Sequence, residues 1–395
     1  MKALVIAPQP FFTPRGTPLS VYYRTMITAA LGVKIDLIAY GEGQDVEIPG
    51  ARIFRTPRFA FLGNVKTGPS ILKLFLDIFV LFRTIGLLTF NRYDFVHAHE
   101  EAIFFCRFLK QIFRFKLIYD MHSSLPQQLT NFEFTTSKFL IQLFEKLEHS
   151  SIECSEAVIT ICPDLADYVE RQIGKSKKHF LIENSIFDEV KLSAIAAPTG
   201  DQSQEDPLSP PREGNPLIVY TGTLEAYQGI DLLIRGFAML LDTHTDASLL
   251  IAGGTPKQVS VFQKLVDELE ISDRCKLTGR VPQKQAKHYN SIADVVVSPR
   301  QSGTNTPLKV YEQLKCGIPL VATNIYSHTQ VLSSDVAFMV EPTAEELAKG
   351  LYNAVANPDD AANRVKNARQ LYEDKYSRTV YIDKMTRLLE LVRNS

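Results

Sequence analysis

The chain lacks any excess of one charge: 43 Lys and Arg stand against 44 Asp and Glu, a formal net charge of −1. Without a basic surplus it carries no overall electrostatic footprint for nucleic acid, and no nucleic-acid partner is expected. Cysteine is scarce. The five present (Cys106, Cys154, Cys162, Cys275 and Cys316) form no C-x-x-C pair and no zinc spacing, which fits reduced thiols in a cytosol. The opening MKALVIAPQP has no basic region leading into a long apolar core, so it reads as a buried strand and not as a signal peptide. Long apolar runs free of charge are also missing. The nearest is ILKLFLDIFVLFRTIGLLTF, residues 71–90, where Lys73, Asp77 and Thr84 fall near one helical face with Arg83 close by. Charges in mid-span are costly, so this segment is expected to be an amphipathic helix packed on a sheet.

What is present is a repeated α/β pattern in a chain of 395 residues, too long for one ordinary core. KALVIAPQ, VKIDLIAYG, YDFVHAH, FKLIYDMH, EAVITICPD and HFLIENS are short apolar strands separated by helical stretches in the first half. PLIVYTGTL, ASLLIAGGT, RCKLTGRVP, ADVVVSPRQ, IPLVATN and VAFMVEP repeat the pattern in the second. Such alternation means βαβ units and parallel sheets. Between the halves, AAPTGDQSQEDPLSPPREGNP is rich in Pro, Gly, Ser and acids, without periodicity. The expected organisation is a Rossmann-like domain over 1–195, a linker or insertion over 196–216, a second Rossmann-like domain over 217–375, and a terminal helix over 376–395 that is a candidate to cross back to the first domain. Two doubly wound domains are expected to face a cleft, with ligands beyond the carboxyl ends of the strands.

The strand ends of the second half carry Gly222 and Thr223, Gly253 and Gly254, Arg280 and Val281, and Arg300. Glycines there either let backbone amides approach a ligand or simply make tight turns. The segment GTNTPLKVYEQLKCGIPLVAT, from Gly303, poses a sharper question. Thr306 suits an N-cap and Pro307 the first helical position, yet Lys309 then sits where the helix dipole disfavours a cation. Glu312 follows on the same face, in the weaker order for an intrahelical pair. The arrangement is either a solvated Lys/Glu pair or a site where Lys309 meets an anion and Glu312 accepts from two neighbouring hydroxyls.

The stretch SPRQSGTNTPLKVYEQLKCGIPLVAT resembles the donor-binding segment of the family-4 retaining glycosyltransferases of the GT-B fold. VYTGTLEAYQGIDLLIRGFA, LLIAGG, LTGRVP, YDFVHAH and IYDMHSS extend the resemblance over nearly the whole chain. It implies a nucleotide-sugar donor (UDP-sugar or GDP-sugar) held by the second domain, an acceptor held by the first, retention at the anomeric carbon, and no cofactor or required metal. Glu312 matches the second glutamate of a paired motif that grips the ribose. The first would fall at Thr304, where a hydroxyl or the amides of Asn305, Thr306, Pro307 and Leu308 stand in its place. An arginine and a lysine usual after the first strand of this domain correspond to Thr223 and Gln228, which makes Lys309 and Arg300 candidates for the replacement charge. Val281 sits where the family's backbone reads the base.

In the first domain the resemblance makes the Arg15–Gly16 turn the loop nearest phosphates and acceptor, with Arg15 either a contact or a solvated loop arginine. His122 matches a histidine that hydrogen-bonds the donor sugar. His99, with Glu100 and Glu101 after it, is expected to face the cleft and His97 to be packed; the two lack an evident third metal ligand. Residues 101–120 interleave Arg107, Lys110, Arg114 and Lys116 with phenylalanines, either a buried amphipathic helix and strand or a surface for anionic lipid. The expected activity is therefore hexosyl transfer to a lipid, lipid-linked glycan or polysaccharide precursor, in a cytoplasmic protein that is a candidate for the inner face of a membrane. The competing readings are a sugar-nucleotide epimerase or phosphorylase of the same fold, and a degenerate module that binds a nucleotide sugar without catalysis.

Overall fold

In a computed structural model, residues 1–13, 16–59, 71–124, 126, 138–184 and 215–395 are described. The chain divides into two compact units, one of residues 1–198 with 378–395 and one of residues 199–377.

Strands β1 (Lys2–Ala7), β2 (Lys34–Ala39), β3 (Ala51–Arg55), β4 (Phe95–His99), β5 (Lys116–Met121), β6 (Ala157–Thr160) and β7 (His179–Leu181) belong to the first unit. They form a parallel sheet in the order β3-β2-β1-β4-β5-β6-β7. Helices α1 (Gly16–Ala30), α2 (Ile71–Phe90), α3 (Ala102–Phe113), α4 (Lys138–Cys154) and α5 (Pro163–Ile173) connect them. Every residue of β4 is buried, and β1, β2 and β5 are buried beyond their first residue, because helices cover both faces of such a sheet. The sequence reading missed β3. ARIFR is a half-buried edge strand with two arginines and no apolar run, held by parallel pairing with β2 and by Arg52, which donates to Asp36 at 2.8 Å.

The second unit holds β8 (Leu217–Thr221), β9 (Ser248–Ala252), β10 (Cys275–Gly279), β11 (Val295–Ser298), β12 (Leu320–Thr323) and β13 (Phe338–Val340), the six expected strands, parallel in the order β10-β9-β8-β11-β12-β13. Helices α6 (Ile230–Leu240), α7 (Pro256–Glu268), α8 (Gln283–Ser291), α9 (Leu308–Cys316), α10 (Tyr326–Thr329), α11 (Ala344–Ala356) and α12 (Pro358–Lys375) link and flank them. Helix α13 (Arg378–Asn394) packs in the first unit, against α1 and β6. Lys116 Nζ donates to the carbonyls of Val392 (2.7 Å) and Arg393 (2.9 Å) at its carboxyl end, where a cation suits both the dipole and the orphan carbonyls. Strand order reverses between β1 and β4 in one sheet and between β8 and β11 in the other, the points at which doubly wound sheets bind ligands.

Helix α2 packs on the first unit, as expected, through Leu76, Val80 and Leu88. Its polar groups also turn inward: Thr84 is fully buried, Tyr40 donates to Asp77 at 2.6 Å, and Lys73 pairs with Glu101 at 3.4 Å. Leu74, Phe75, Ile78 and Phe82 are exposed instead.

Candidate active site

In the second unit the reversal point gathers the ends of β8 and β11 and the start of α9. That helix begins one residue later than its sequence suggests. Pro307 is the N-cap, extended at φ −65° and ψ 135°, with no side-chain capping bond. Because Pro307 is itself extended and takes the cap position, Thr306 lies one residue outside it and does not cap; its buried hydroxyl makes no hydrogen bond among the described residues. Lys309 is thereby the second helical residue. Its Nζ lies 4.1 Å from the centroid of the Tyr220 ring, is buried, and donates to no described acceptor. Burial, then the charge of Arg300, pushes its pKa down to about 7. It makes no pair with Glu312, so the intrahelical reading is set aside. Glu312 is half-buried, and burial raises its pKa against the opposing pull of Lys287 and Lys315.

Arg300 is tied to its own loop. Nε donates to Ser302 O at 2.7 Å, Nη1 to Asn305 O at 3.1 Å, and the guanidinium lies 5.0 Å from the Tyr227 ring centroid. It shapes the 302–305 segment and adds a nearby positive charge. The Thr304 carbonyl accepts from Gln330, while Pro307 and Leu308 are half-buried at the helix entry.

The glycines are corrected in part. The amide of Gly222 donates to Ala252 O at 3.0 Å and that of Gly253 to Gly279 O at 2.7 Å, so neither is available to a phosphate. A Cβ on Gly253 would stand 1.7 Å from Gly222 O; the close approach is between strand ends. Gly254, with φ +86°, packs against Leu224. Thr223 is exposed and its Oγ1 accepts from Gln228 at 3.4 Å. Arg280 is exposed, and Val281 is partly buried against the core.

In the first unit Arg15 lies outside the described residues, and Gly16 is the exposed first residue of α1. His99 does not face outward as expected. It is 1% exposed, stacked on His97 with centroids 4.6 Å apart, and its Nδ1 meets His122 Nε2 at 3.1 Å. His97 Nε2 donates to Asp120 Oδ2 at 2.9 Å, and Arg24 Nε stands 3.1 Å from the same oxygen. Burial is the largest single influence and opposes ionisation of Asp120, but Arg24, the neighbouring histidines and the hydrogen bond from His97 together outweigh it and hold the carboxyl well below its usual range. Burial lowers His99 strongly and takes His122 down to about 4, so both are neutral.

His97, His99 and Asp120 bring ligand atoms within 4.8 Å of one another, supplying the third ligand that the sequence did not show. The group does not fit a resident metal, because a buried guanidinium already occupies the carboxylate oxygen and would repel a cation. Asp120, Arg24 and Tyr220 were missed from sequence. Only Asp120 left a signal, a lone carboxylate inside the apolar strand KLIYDM, which has to be paired when buried.

Two all-parallel doubly wound sheets in one chain are the architecture of the GT-B fold. Residues 27–185 match the glycosyl transferase 4-like domain and residues 201–371 the family of glycosyl transferases group 1; the chain belongs to the group 1 glycosyltransferases of the GT-B fold. It is 23% identical over 295 residues to the alpha-D-kanosaminyltransferase of Streptomyces kanamyceticus, covering 71% of this chain and 73% of that one. It is 27% identical over 158 residues to a GDP-mannose-dependent alpha-(1-6)-phosphatidylinositol dimannoside mannosyltransferase of Mycobacterium tuberculosis, 39% of each chain. Sucrose-phosphate synthase from Thermosynechococcus elongatus superposes with a TM-score of 0.73 at 19% identity over all of both chains. Anabaena HepE in complex with UDP gives 0.71 at 14% identity, over 99% of this chain and 100% of that one.

Proposed function

We propose that the chain transfers a hexosyl group, with retention, from a UDP- or GDP-sugar to a hydroxyl of a lipid or lipid-linked glycan, without a metal. The observation that carries this reading is Lys309: a buried ammonium with no acceptor among the described residues, in the first turn of a helix at the β8/β11 reversal point. A diphosphate there would supply the missing counter-charge, and the helix start would add to the attraction. Glu312, one turn on, accepts the ribose hydroxyls. In the transfer the bond from the anomeric carbon to the diphosphate breaks, the acceptor oxygen bonds on the same face, and the leaving phosphate takes the acceptor proton. Lys309, with Arg300 behind the loop, stabilises the charge that develops on that phosphate.

The acceptor reading is supported by the first unit. Leu74, Ile78 and Phe82 of α2 form an i, i+4, i+8 stripe. Phe108 and Ile112 of the neighbouring α3 are also exposed, with Arg83 and Arg114 beside them. An apolar face edged by arginines suits an anionic bilayer surface. The basic residues of 101–120 contribute less than their spacing suggests. Lys110 donates to Cys154 O and Glu156 at 2.6 Å, and Lys116 holds the end of α13. No helix among the described residues is long and apolar enough to cross a membrane.

A panel of UDP- and GDP-sugars, each assayed with and without a lipid-linked acceptor, tests the proposal. Acceptor-dependent release of nucleoside diphosphate is expected. Donor consumption independent of any acceptor would indicate the epimerase reading, and nucleotide binding without turnover of any donor the non-catalytic one.

A further inference from the structure

Beneath the Arg300 loop, three fully buried side chains form one hydrogen-bonded group: Ser298, Thr323 and His328. Strands β11 and β12 run side by side with Ser298 opposite Ala322, so Thr323 ends β12 next to the exit of β11 toward Arg300. Helix α10 follows and turns His328 back onto both strand ends. His328 Nε2 lies 2.9 Å from Ser298 Oγ, and Nδ1 lies 2.9 Å from Thr323 O and 3.2 Å from Thr323 Oγ1. Burial, aided by Lys309 and Arg300 and opposed by the Thr323 carbonyl, takes His328 down to about 4, so the ring is neutral and holds one proton. The two sides of the ring are not equivalent. A carbonyl oxygen can only accept, so the bond to Thr323 O exists only with the proton on Nδ1. Ser298 presents a hydroxyl, which can take either role, and it satisfies Nε2 by donating.

The Thr323 hydroxyl depends on that choice. Its one proton has Arg300 O as the near acceptor, with Ser298 O more distant at 3.5 Å. A bare Nδ1 would compete for it. A protonated Nδ1 cannot accept, and leaves the hydroxyl to Arg300. We propose that His328 is a positioning residue: by donating from Nδ1 to Thr323 it directs the Thr323 hydroxyl onto the Arg300 carbonyl and so sets the 300–305 segment that leads into α9. The residue that caps the end of α10 holds that segment a second time, where Gln330 donates to Thr304 O. The Arg300 side chain closes it from within, through Ser302 O and Asn305 O. The consequence for donor binding rests on the proposed contact of Lys309 with the diphosphate; the effect on the segment does not.

The experiment reads the two separately. Long-range 15N–1H correlation spectra of the full chain at neutral pH, with His328 assigned through its loss in His328→Gln, are expected to show the proton on Nδ1. His328→Asn keeps an N–H near the position of Nδ1, whereas His328→Gln keeps a polar group only near Nε2. Hydrogen exchange across 300–305, followed by mass spectrometry without nucleotide, is expected to stay at the wild-type rate in His328→Asn and Thr323→Ser. It should quicken roughly three- to tenfold in His328→Gln and Thr323→Val, the value of one neutral hydrogen bond. Affinity for UDP or GDP, measured by calorimetry, should fall by a similar factor in the same two variants, with little further loss when they are combined. A role confined to packing would harm the smaller Asn at least as much as Gln. That order, a His328 proton on Nε2, or wild-type exchange in Thr323→Val overturns the proposal. If neither His328 variant folds, the wild-type spectrum and the two Thr323 variants decide alone. A wild-type chain that binds neither UDP nor GDP overturns the donor reading, and the spectra and exchange rates still decide the role of His328.

Discussion

Lys309 Nζ rests 4.1 Å from the centroid of the Tyr220 ring and has no described acceptor. A cation over an aromatic face gains about 0.5–2 kcal/mol, less than the several kcal/mol that an isolated buried ammonium loses by leaving water. The apo protein therefore holds this charge at a cost, and a bound anion removes that cost. Replacing Lys309 by Met is expected to lower kcat roughly 100-fold, the scale for removing one preorganised charge partner, while the melting temperature of the apo protein stays level or rises. Steady-state kinetics and a thermal melt on the same sample check it; a Met variant with normal kcat removes Lys309 from the chemistry.

The depressed pKa gives a second, independent expectation. With the folded value pushed down to about 7 from 10.5, the unfolded chain binds a proton that the folded chain does not across that window. Stability attributable to Lys309 therefore increases as pH rises from 7 toward 10.5. The melting temperature of wild type relative to K309M should climb between pH 7 and pH 10. Binding of UDP or GDP, whichever is the cognate nucleotide, at pH 8 should draw a proton onto Lys309. Calorimetry in buffers of different ionisation enthalpy measures that uptake, and it should vanish in K309M.

Glu312→Ala is expected to weaken binding of the cognate nucleoside diphosphate by about 10- to 100-fold, the value of one or two hydrogen bonds to a carboxylate. The 2′- and 3′-deoxy nucleotides should bind wild type with a similar loss and the variant with little further loss. Equal sensitivity to deoxygenation in both proteins would place the ribose elsewhere.

Gly303 and Arg300 form a coupled pair. Gly303 sits at φ +134°, and a Cβ there would meet the Arg300 guanidinium at 2.3 Å. Gly303→Ala should lower stability by about 1–3 kcal/mol, from backbone strain plus displacement of that guanidinium. Part of the cost comes from the clash, so in an R300A background the same change should cost measurably less. Chemical denaturation of the four proteins of the cycle gives the coupling.

The sheets were legible because fully buried parallel strands are short apolar runs between turn residues, as ASLLIAGGT and ADVVVSPRQ are. The edge strand β3 was not, since pairing with β2 and an Arg52–Asp36 bond substitute there for an apolar pattern. Lys309 and Glu312 stood out because a cation in a first helical turn conflicts with local preference. The tether on Arg300 could not be seen, because it runs to carbonyls of its own loop and no residue type records that. The Gly222 and Gly253 amides likewise depend on which carbonyls the neighbouring strand ends present. Arg24 reads in sequence as an ordinary helical arginine; only the tertiary fold, which brings it within 3.1 Å of Asp120, makes it that residue's counter-ion.

The exposed apolar stripe of α2 separates two ways in which its region could meet a membrane. Were the interleaved lysines of 101–120 the anchor, Lys110→Ala and Lys116→Ala would release the protein from anionic vesicles. Both lysines are engaged internally, to Cys154 O, Glu156, Val392 O and Arg393 O, so these changes should lower the melting temperature and leave vesicle binding nearly intact. L74S/I78S/F82S should do the reverse. Each exposed apolar side chain contributes about 1.5–3 kcal/mol if fully buried in lipid, and partial insertion of three still supports binding in the micromolar range. The triple variant should lose co-sedimentation with phosphatidylserine-containing vesicles, keep its melting temperature, and keep its rate on a water-soluble acceptor. Equal co-sedimentation of wild type and the triple variant would show that α2 exposes its apolar face for some other partner.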